Sequence, residues 1–185
     1  MNTPPDNMPR CSWCNTANPL YVAYHDHEWG VPVHDDRKLF EMLLLETFQA
    51  GLSWECILNK REAFRRAFDG FDFERIARYG EARLQALGAD ASIVRNRLKI
   101  RAAVMNARVF MDIQREAGSF DAYLWGMAGG RPRRETGLTT SPLSDRIAAD
   151  LRRRGMRFTG STVVYAYLQA VGVISAHEEG CHLAR

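Results

Sequence analysis

Glu46 is an acid set where an acid is costly. It follows four apolar residues in the stretch 39–54, LFEMLLLETFQAGLSW, which closes on Trp54 after a Gly51 turn. A carboxylate among such neighbours loses its hydration and costs several kcal/mol unless a partner meets it. No Lys or Arg lies between Lys38 and Lys60, so no local cation does so. Aromatic residues are close in sequence: the segment 11–32, CSWCNTANPLYVAYHDHEWGVP, holds Trp13, Tyr21, Tyr24 and Trp29. A lone anion with indole and phenol faces suits a flat, cationic ligand, which gains from ring faces and from a charge-assisted hydrogen bond.

A second set of reactive side chains sits at the two ends of the chain. Cys11 and His25 lie near one terminus, His177 and Cys181 near the other. His177 and Cys181 share one face of a helical turn. Two thiolates with two imidazoles make a closed, tetrahedral, structural zinc site. Cys14, His27 and His182 compete for the same role, and Cys11-x2-Cys14 also fits a redox pair, though without the βαβ setting such pairs use. With no signal peptide in 1–9, metal is favoured over disulfide. Cys56 falls in an apolar helical stretch and reads as a core thiol.

A third feature is the segment 143–172. Two helical stretches are joined by MRFTG, with arginines beside the turn, among them Arg157. The second stretch opens at Gly160, Ser161 and Thr162, whose free N–H groups can face a phosphate, and Gly160 lets the backbone come close. Such a helical hairpin grips a nucleic-acid backbone without reading sequence.

The elements that must carry these groups are helical. Asp35 and Asp36 cap a helix bearing Glu46, and a second helix follows over 54–68. Short helices are expected over 72–79 and 81–87. A long amphipathic helix over 93–117, capped by Ser92, has Ile93, Leu98, Ala102, Met105, Val109 and Ile113 at helical spacing. Further helices are predicted over 119–127, 143–154 and 162–171, with a polar Gly-rich loop over 128–140. No alternating strand pattern appears. The expectation is an all-α chain with a disordered leader at 1–10 and one helical domain over 11–185.

Bulk properties fit. The chain has 185 residues, 46% hydrophobic and 25% charged, with a net charge of +3. That suits one core. Only three basic residues are Lys (Lys38, Lys60, Lys99), and the arginines gather at 95–101, 131–134 and 152–157, two of these clusters flanking expected helix ends. No apolar run reaches membrane-spanning length, so a cytoplasmic protein without a membrane partner is expected.

Together the blocks CSW, NPLYVAYHDHEWGVP, LFEMLLLE, QAGLSW, IVRNRLKI, SFDAYLW and RGMRFTGSTVVYAYLQAVG resemble the 3-methyladenine DNA glycosylase I family of the helix-hairpin-helix superfamily. The resemblance implies that superfamily's glycosylase fold, two helical lobes with a zinc clasp joining the termini. It implies one structural zinc held by Cys11, His25, His177 and Cys181. It also implies base contacts from Glu46 and Tyr24, with Trp54, Trp29, Trp13 and Tyr21 lining the pocket. The implied reaction is hydrolytic excision of N3-methylated, cationic adenine flipped out of double-stranded DNA, by a monomer. In this setting Glu46 is expected to be ionised and Glu28 to be structural. No Lys follows Lys99 and no Asp follows Asp150, so strand cleavage through a Schiff base lacks a nucleophile behind the hairpin. The chain departs from the family pattern at Thr47-Phe48, at Ser92 and in the loop 128–140. A zinc-stabilised DNA-binding module without catalysis is the alternative; it leaves the acid among aromatics without a purpose.

Overall fold

The structure, a computed structural model, describes residues 8–184. Residues 1–7 of the expected leader lie outside the described residues. Pro9 and Arg10 are held: Pro9 O accepts from His182 N at 2.8 Å, and Arg10 forks onto Asp26 at 2.7 to 3.1 Å.

The chain is mostly helical, and side-chain caps set the helix starts. α1 (Pro19–His27) is capped by Asn18, α2 (Asp36–Gln49) by Asp35, and α3 (Trp54–Ala67) by Ser53. Each cap accepts a first-turn N–H that has no carbonyl partner inside its helix. After a 3-10 turn come the short α4 (Phe73–Ile76) and α5 (Glu81–Ala89). The long α6 (Arg97–Ala117) is capped by Asn96, not by Ser92. Asp90 accepts both the N–H and the hydroxyl of Ser92, at 2.8 and 2.6 Å, and that local turn takes Ser92 out of the helix. Of the expected apolar stripe, Ala102, Val109 and Ile113 are buried, while Leu98 is 69% and Met105 44% exposed.

α7 (Phe120–Ala128) packs against α6 and α2. α8 (Pro142–Arg153) opens with a reciprocal Ser141–Ser144 capping box and packs along α9 (Ser161–Ala170). Two short strands, absent from the sequence reading, pair in parallel: β1 (Arg133–Arg134) with β2 (Ile174–Ser175). They pin the Gly-rich loop to the segment that follows α9. The pairing is too short to leave an alternating pattern. Cys56 is only half-buried, at the edge of the core.

α2 is the buried axis. It touches α3, α6, α7 and α9, and every residue from Leu39 to Phe48 is buried. Gly172, just past α9, seals the N-terminal segment onto this core. At φ +73° a Cβ there would sit 2.3 Å from the backbone of Val31 and Pro32, so only glycine fits. Val33 N donates to Val171 O beside it at 3.1 Å.

Candidate base pocket and metal centre

Glu46 and the five aromatic residues singled out with it line one cavity of about 300 Å³. α1 brings Tyr21 and Tyr24, α2 brings Glu46 and α3 brings Trp54 from its first turn. Trp13 and Trp29 come from the flanking irregular segments and meet edge to face at 4.6 Å, while Tyr24 and Trp54 lie 5.0 Å apart. The sequence reading missed Gln49, Leu138, Gln169 and Glu178, which complete the wall. Gln49 lies one turn beyond Glu46 on α2, Gln169 comes from α9, and Leu138 and Glu178 come from the segments that follow β1 and β2.

Glu46 is 3% exposed and its Oε2 has no hydrogen-bond partner; Trp54 Nε1 on the same cavity is likewise buried and unpartnered. Buried polar atoms are nearly always satisfied, so two orphans on one cavity mark a place built for a ligand edge. Burial with no facing cation pushes Glu46 up to about 8. This differs from the expected ionised acid: at neutral pH the carboxyl keeps its proton until a positive charge arrives. Burial, then the neighbouring Glu46, raises the Tyr24 phenol well above its ordinary value, so it stays a neutral hydroxyl.

Glu28 lies outside this cavity. Arg61 grips it with both Nη atoms at 2.9 and 2.8 Å, and Lys38 adds a third contact at 3.0 Å. A larger cleft of about 420 Å³ runs beside these charges. The charges around it are already paired with one another, so it lacks the unmet groups of the aromatic cavity.

Cys11, His25, His177 and Cys181 are all buried, with one donor atom from each lying within 4.8 Å of all the others. Sulfur–nitrogen distances are 3.5 Å (Cys11 to His177), 3.5 Å (Cys181 to His25) and 3.6 Å (Cys181 to His177). Tetrahedral zinc with ordinary bond lengths separates such ligands by about 3.6 Å. Asp26 Oδ1 holds His25 Nδ1 at 2.7 Å and is itself held by Arg10, an arrangement that orients a ligating imidazole. Burial lowers both histidines, which keeps them neutral and able to ligate. The backbone N–H groups of Glu178 and Leu183 point at the two sulfurs. The group therefore fits a metal. The competing residues fall outside it: the Cys14 thiol points at Tyr21 O, His27 is exposed and His182 turns to Pro9 O. Because His25 and His177 also pack against Trp13 and Trp29, this cluster braces one wall of the cavity.

The hairpin residues sit together at the α8–α9 turn. Gly160 precedes α9 with no side-chain cap, and a Cβ there would meet nothing within 4 Å, so the helix start is open to solvent. Thr162 and Arg157 are exposed. The Ser161 hydroxyl is instead spent inside the fold, on Asp145 and Ser144 of α8, which leaves its N–H for any outside partner. α9 reaches the cavity through Ala166 and Gln169.

Comparison with known proteins gives a consistent picture. A family model described as methyladenine glycosylase matches residues 13–184. DNA-3-methyladenine glycosylase 1 of Escherichia coli (strain K12) is 40% identical over 180 residues, covering 94% of this chain and 96% of its own. The DNA-3-methyladenine glycosylase of Haemophilus influenzae is 34% identical over 178 residues, 93% of this chain and 96% of its own. A crystal structure of 3-methyladenine DNA glycosylase I superposes with a TM-score of 0.92 at 41% identity, covering 96% of this chain and all of that one. A Staphylococcus aureus structure addressing 3-methyladenine recognition by the same enzyme superposes at 0.89 with 34% identity, covering 94% and 97%.

Proposed function

The chain belongs to the methyladenine glycosylase family, and from that premise we propose that it excises 3-methyladenine from alkylated DNA by hydrolysing the N-glycosidic bond. A purine methylated at N3 within DNA carries one positive charge, so its bond to the sugar is already weak. The base leaves neutral, taking the electron pair of the C1′–N9 bond. Water adds to C1′ and releases a proton to solvent. No strong acid is needed at the base, and the work left to the protein is to find, extrude and hold it.

The partnerless carboxyl of Glu46 in an aromatic cavity carries this reading. As the cationic ring enters, Glu46 gives up its proton and meets the exocyclic amino edge with a charge-assisted hydrogen bond. Tyr24 offers a hydroxyl, and Trp54, Trp29, Trp13 and Tyr21 offer faces and edges that favour a positive ring. Normal adenine brings no charge and leaves Glu46 protonated, which is the basis of selection.

The remaining assignments follow the same reading. Residues 11–185 act as one domain of the helix-hairpin-helix glycosylase fold, in two lobes. The duplex backbone rests on the hairpin of α8 and α9, held by the N–H groups of Gly160, Ser161 and Thr162 and by the charge of Arg157. Cys11, His25, His177 and Cys181 hold one structural zinc that clasps the termini and supports the Trp13–Trp29 wall. The enzyme stops at base release, because no Lys follows Lys99. It acts as a cytoplasmic monomer; none of the described helices is long and apolar enough to cross a membrane.

The test is release of free 3-methyladenine from methylated duplex DNA, with Glu46→Gln beside the wild type. Release by the wild type and its loss in the variant support the reading. A wild type that binds methylated duplex and frees no base overturns it in favour of a binding module.

A further inference from the structure

Two buried polar side chains on one face of α6 hold two different turns. Lys99, 5% exposed, donates to Phe48 O at 2.8 Å and to Ala50 O at 2.5 Å, at the C-terminal end of α2. Its ammonium also lies 5.8 Å from the centre of the Phe158 ring. Seven residues on, two turns along the same face, Asn106 clamps Arg157 from both sides: Arg157 N donates to Oδ1 at 2.8 Å and Nδ2 donates to Arg157 O at 3.0 Å.

The placement of Lys99 makes little sense for α6 alone. A cation in a first turn opposes the dipole of its own helix. Here it complements the far end of another helix, since α2 has no basic residue in its last turn. The turn 50–53 that it steadies carries the chain from Glu46 to Trp54, the two cavity residues with unmet polar atoms. Phe158, beneath the ammonium, is a non-glycine residue held at φ +58° in the turn leading to Gly160.

We propose that Lys99 is a positioning residue that fixes the base cavity relative to the phosphate-gripping hairpin, so that one flipped nucleotide can satisfy both at once. This rests on the glycosylase reading above. Lys99 touches neither base nor phosphate, being buried. It acts through the backbone of 48–50 on one side and through Phe158 on the other, with Asn106 completing the hold on the hairpin.

The test compares Lys99→Met and Lys99→Arg with the wild type in three measurements: affinity for free 3-methyladenine by tryptophan fluorescence, single-turnover excision from methylated duplex, and the salt dependence of duplex binding. Misplacing a bound reactant by a fraction of an ångström to an ångström costs roughly tenfold to hundredfold in rate. Lys99→Met is expected to lose that much excision while free-base affinity stays within about twofold and the salt slope is unchanged, because no phosphate contact is removed. Lys99→Arg, which can still cap both carbonyls, recovers most of the rate. Wild-type excision by Lys99→Met overturns the proposal. So does a parallel loss of free-base affinity, or a salt slope lowered by about one, which would make Lys99 a phosphate contact. If Lys99→Met does not fold, Phe158→Leu loosens only the hairpin side: reduced excision with intact free-base affinity supports the link, and unchanged excision overturns it. A wild type that frees no base from methylated duplex is a failure of the glycosylase reading, distinct from a Lys99→Met protein that matches an active wild type.

Discussion

Glu41 and Glu46 stand on the same buried helix and have opposite fates. Both are nearly inaccessible, at 4% and 3% exposure. Glu41 accepts from Arg61 at 2.8 Å and from Arg65 at 2.9 Å, with Lys38 at 3.6 Å; Glu46 Oε2 accepts from nothing. Five positions on a helix turn the side chain by about 140°, so Glu41 faces the arginines of α3 while Glu46 faces the indoles and phenols. The fold supplies cations for one acid and withholds them from the other.

That unmet acid makes stability depend on pH. Burial places Glu46 at about 8 when folded, against an ordinary 4.5. Between those values the folded chain holds a proton that the unfolded chain has lost, so the contribution of Glu46 is fully present below about pH 4.5. It declines by about 1.4 kcal/mol per pH unit as pH rises toward 8. Glu46→Gln removes this slope. Denaturant melts from pH 5 to 8 should show the variant gaining on the wild type as pH rises. Parallel curves would mean that the carboxyl is already ionised.

The same proton governs recognition. A permanent cation such as 3,9-dimethyladeninium should bind wild type about tenfold more tightly per pH unit up to pH 8 and level off above it. Glu46→Gln should bind it weakly at every pH, since a charge-assisted hydrogen bond is worth about 1.5–3 kcal/mol, a loss of roughly tenfold to a hundredfold. Titration calorimetry in buffers of different ionisation enthalpy would register the released proton. Equal affinity at pH 6 and 8 for wild type would contradict the charge-sensing role.

Much of this site was legible from residue types. Glu46 stood out because no cation lies near it in sequence, and the aromatics of 11–32 stood out because an irregular segment rarely carries so many. The Cys and His spacing limited the metal ligands without choosing among Cys11 and Cys14, or His25 and His27. The face that α1 buries takes His25 inward and leaves His27 exposed, while the Cys14 thiol is turned away toward Tyr21 O. Gln49 was legible as the residue one turn beyond Glu46 on the same helix face, whereas the walls given by Leu138 and Gln169 could not be read, since each is an ordinary loop or polar residue until tertiary contacts bring it to the cavity. The start of α6 was misplaced for a local reason: Ser92 is a good cap, but Asp90 binds it first, and the later Asn96 takes the role. The raised titration of Glu46 in the empty cavity was not legible, because sequence shows which cations are missing nearby, not how completely water is removed.

Glu28 should prove structural. Burial alone would raise it, but the Arg61 hydrogen bonds and charge, with help from Lys38, hold it down to about 2. Its contribution is therefore present above about pH 4.5 and lost as the pH falls toward 2. Glu28→Ala leaves Arg61 with Glu41 still in place. The expected loss is about 1–2 kcal/mol, discounted because Glu28 is partly solvated, with excision retained. Loss of excision in a variant that melts normally would bring Glu28 into the chemistry.

Gly172→Ala should be among the most damaging single changes. Its φ of +73° disfavours any side chain, and the added methyl would overlap the backbone of Val31 and Pro32 at 2.3 Å. Backbone atoms cannot rotate away as a side-chain tip can, so about 3 kcal/mol or more of stability should be lost. Gly160→Ala is the contrasting control: its φ is ordinary and its surroundings are open, so stability should hold. Thermal melts of the two variants test the pair. Equal melting temperatures would mean that the 31–32 segment moves aside.

The metal should be worth more to the pocket than to the rest of the core. Cys11 and His25 enter from the N-terminal segment, His177 and Cys181 from the C-terminal one, and both histidines pack on the indoles that wall the cavity. Beside the cluster, Ser12 bonds to Glu178 and Pro9 to His182 across these two segments. A structural zinc site contributes its binding energy directly to folding, while the helical core of α2, α6 and α9 keeps its own apolar packing. Elemental analysis of the purified protein should find about one zinc per chain. Cys181→Ser should lower that content, reduce the melting temperature and weaken 3-methyladenine binding by roughly tenfold to a hundredfold, the loss associated with a disturbed support shell. Far-UV circular dichroism should meanwhile change little, because the cluster lies outside the central helices. A Cys181→Ser protein with no metal and full base affinity would show that the aromatic wall stands without the clasp.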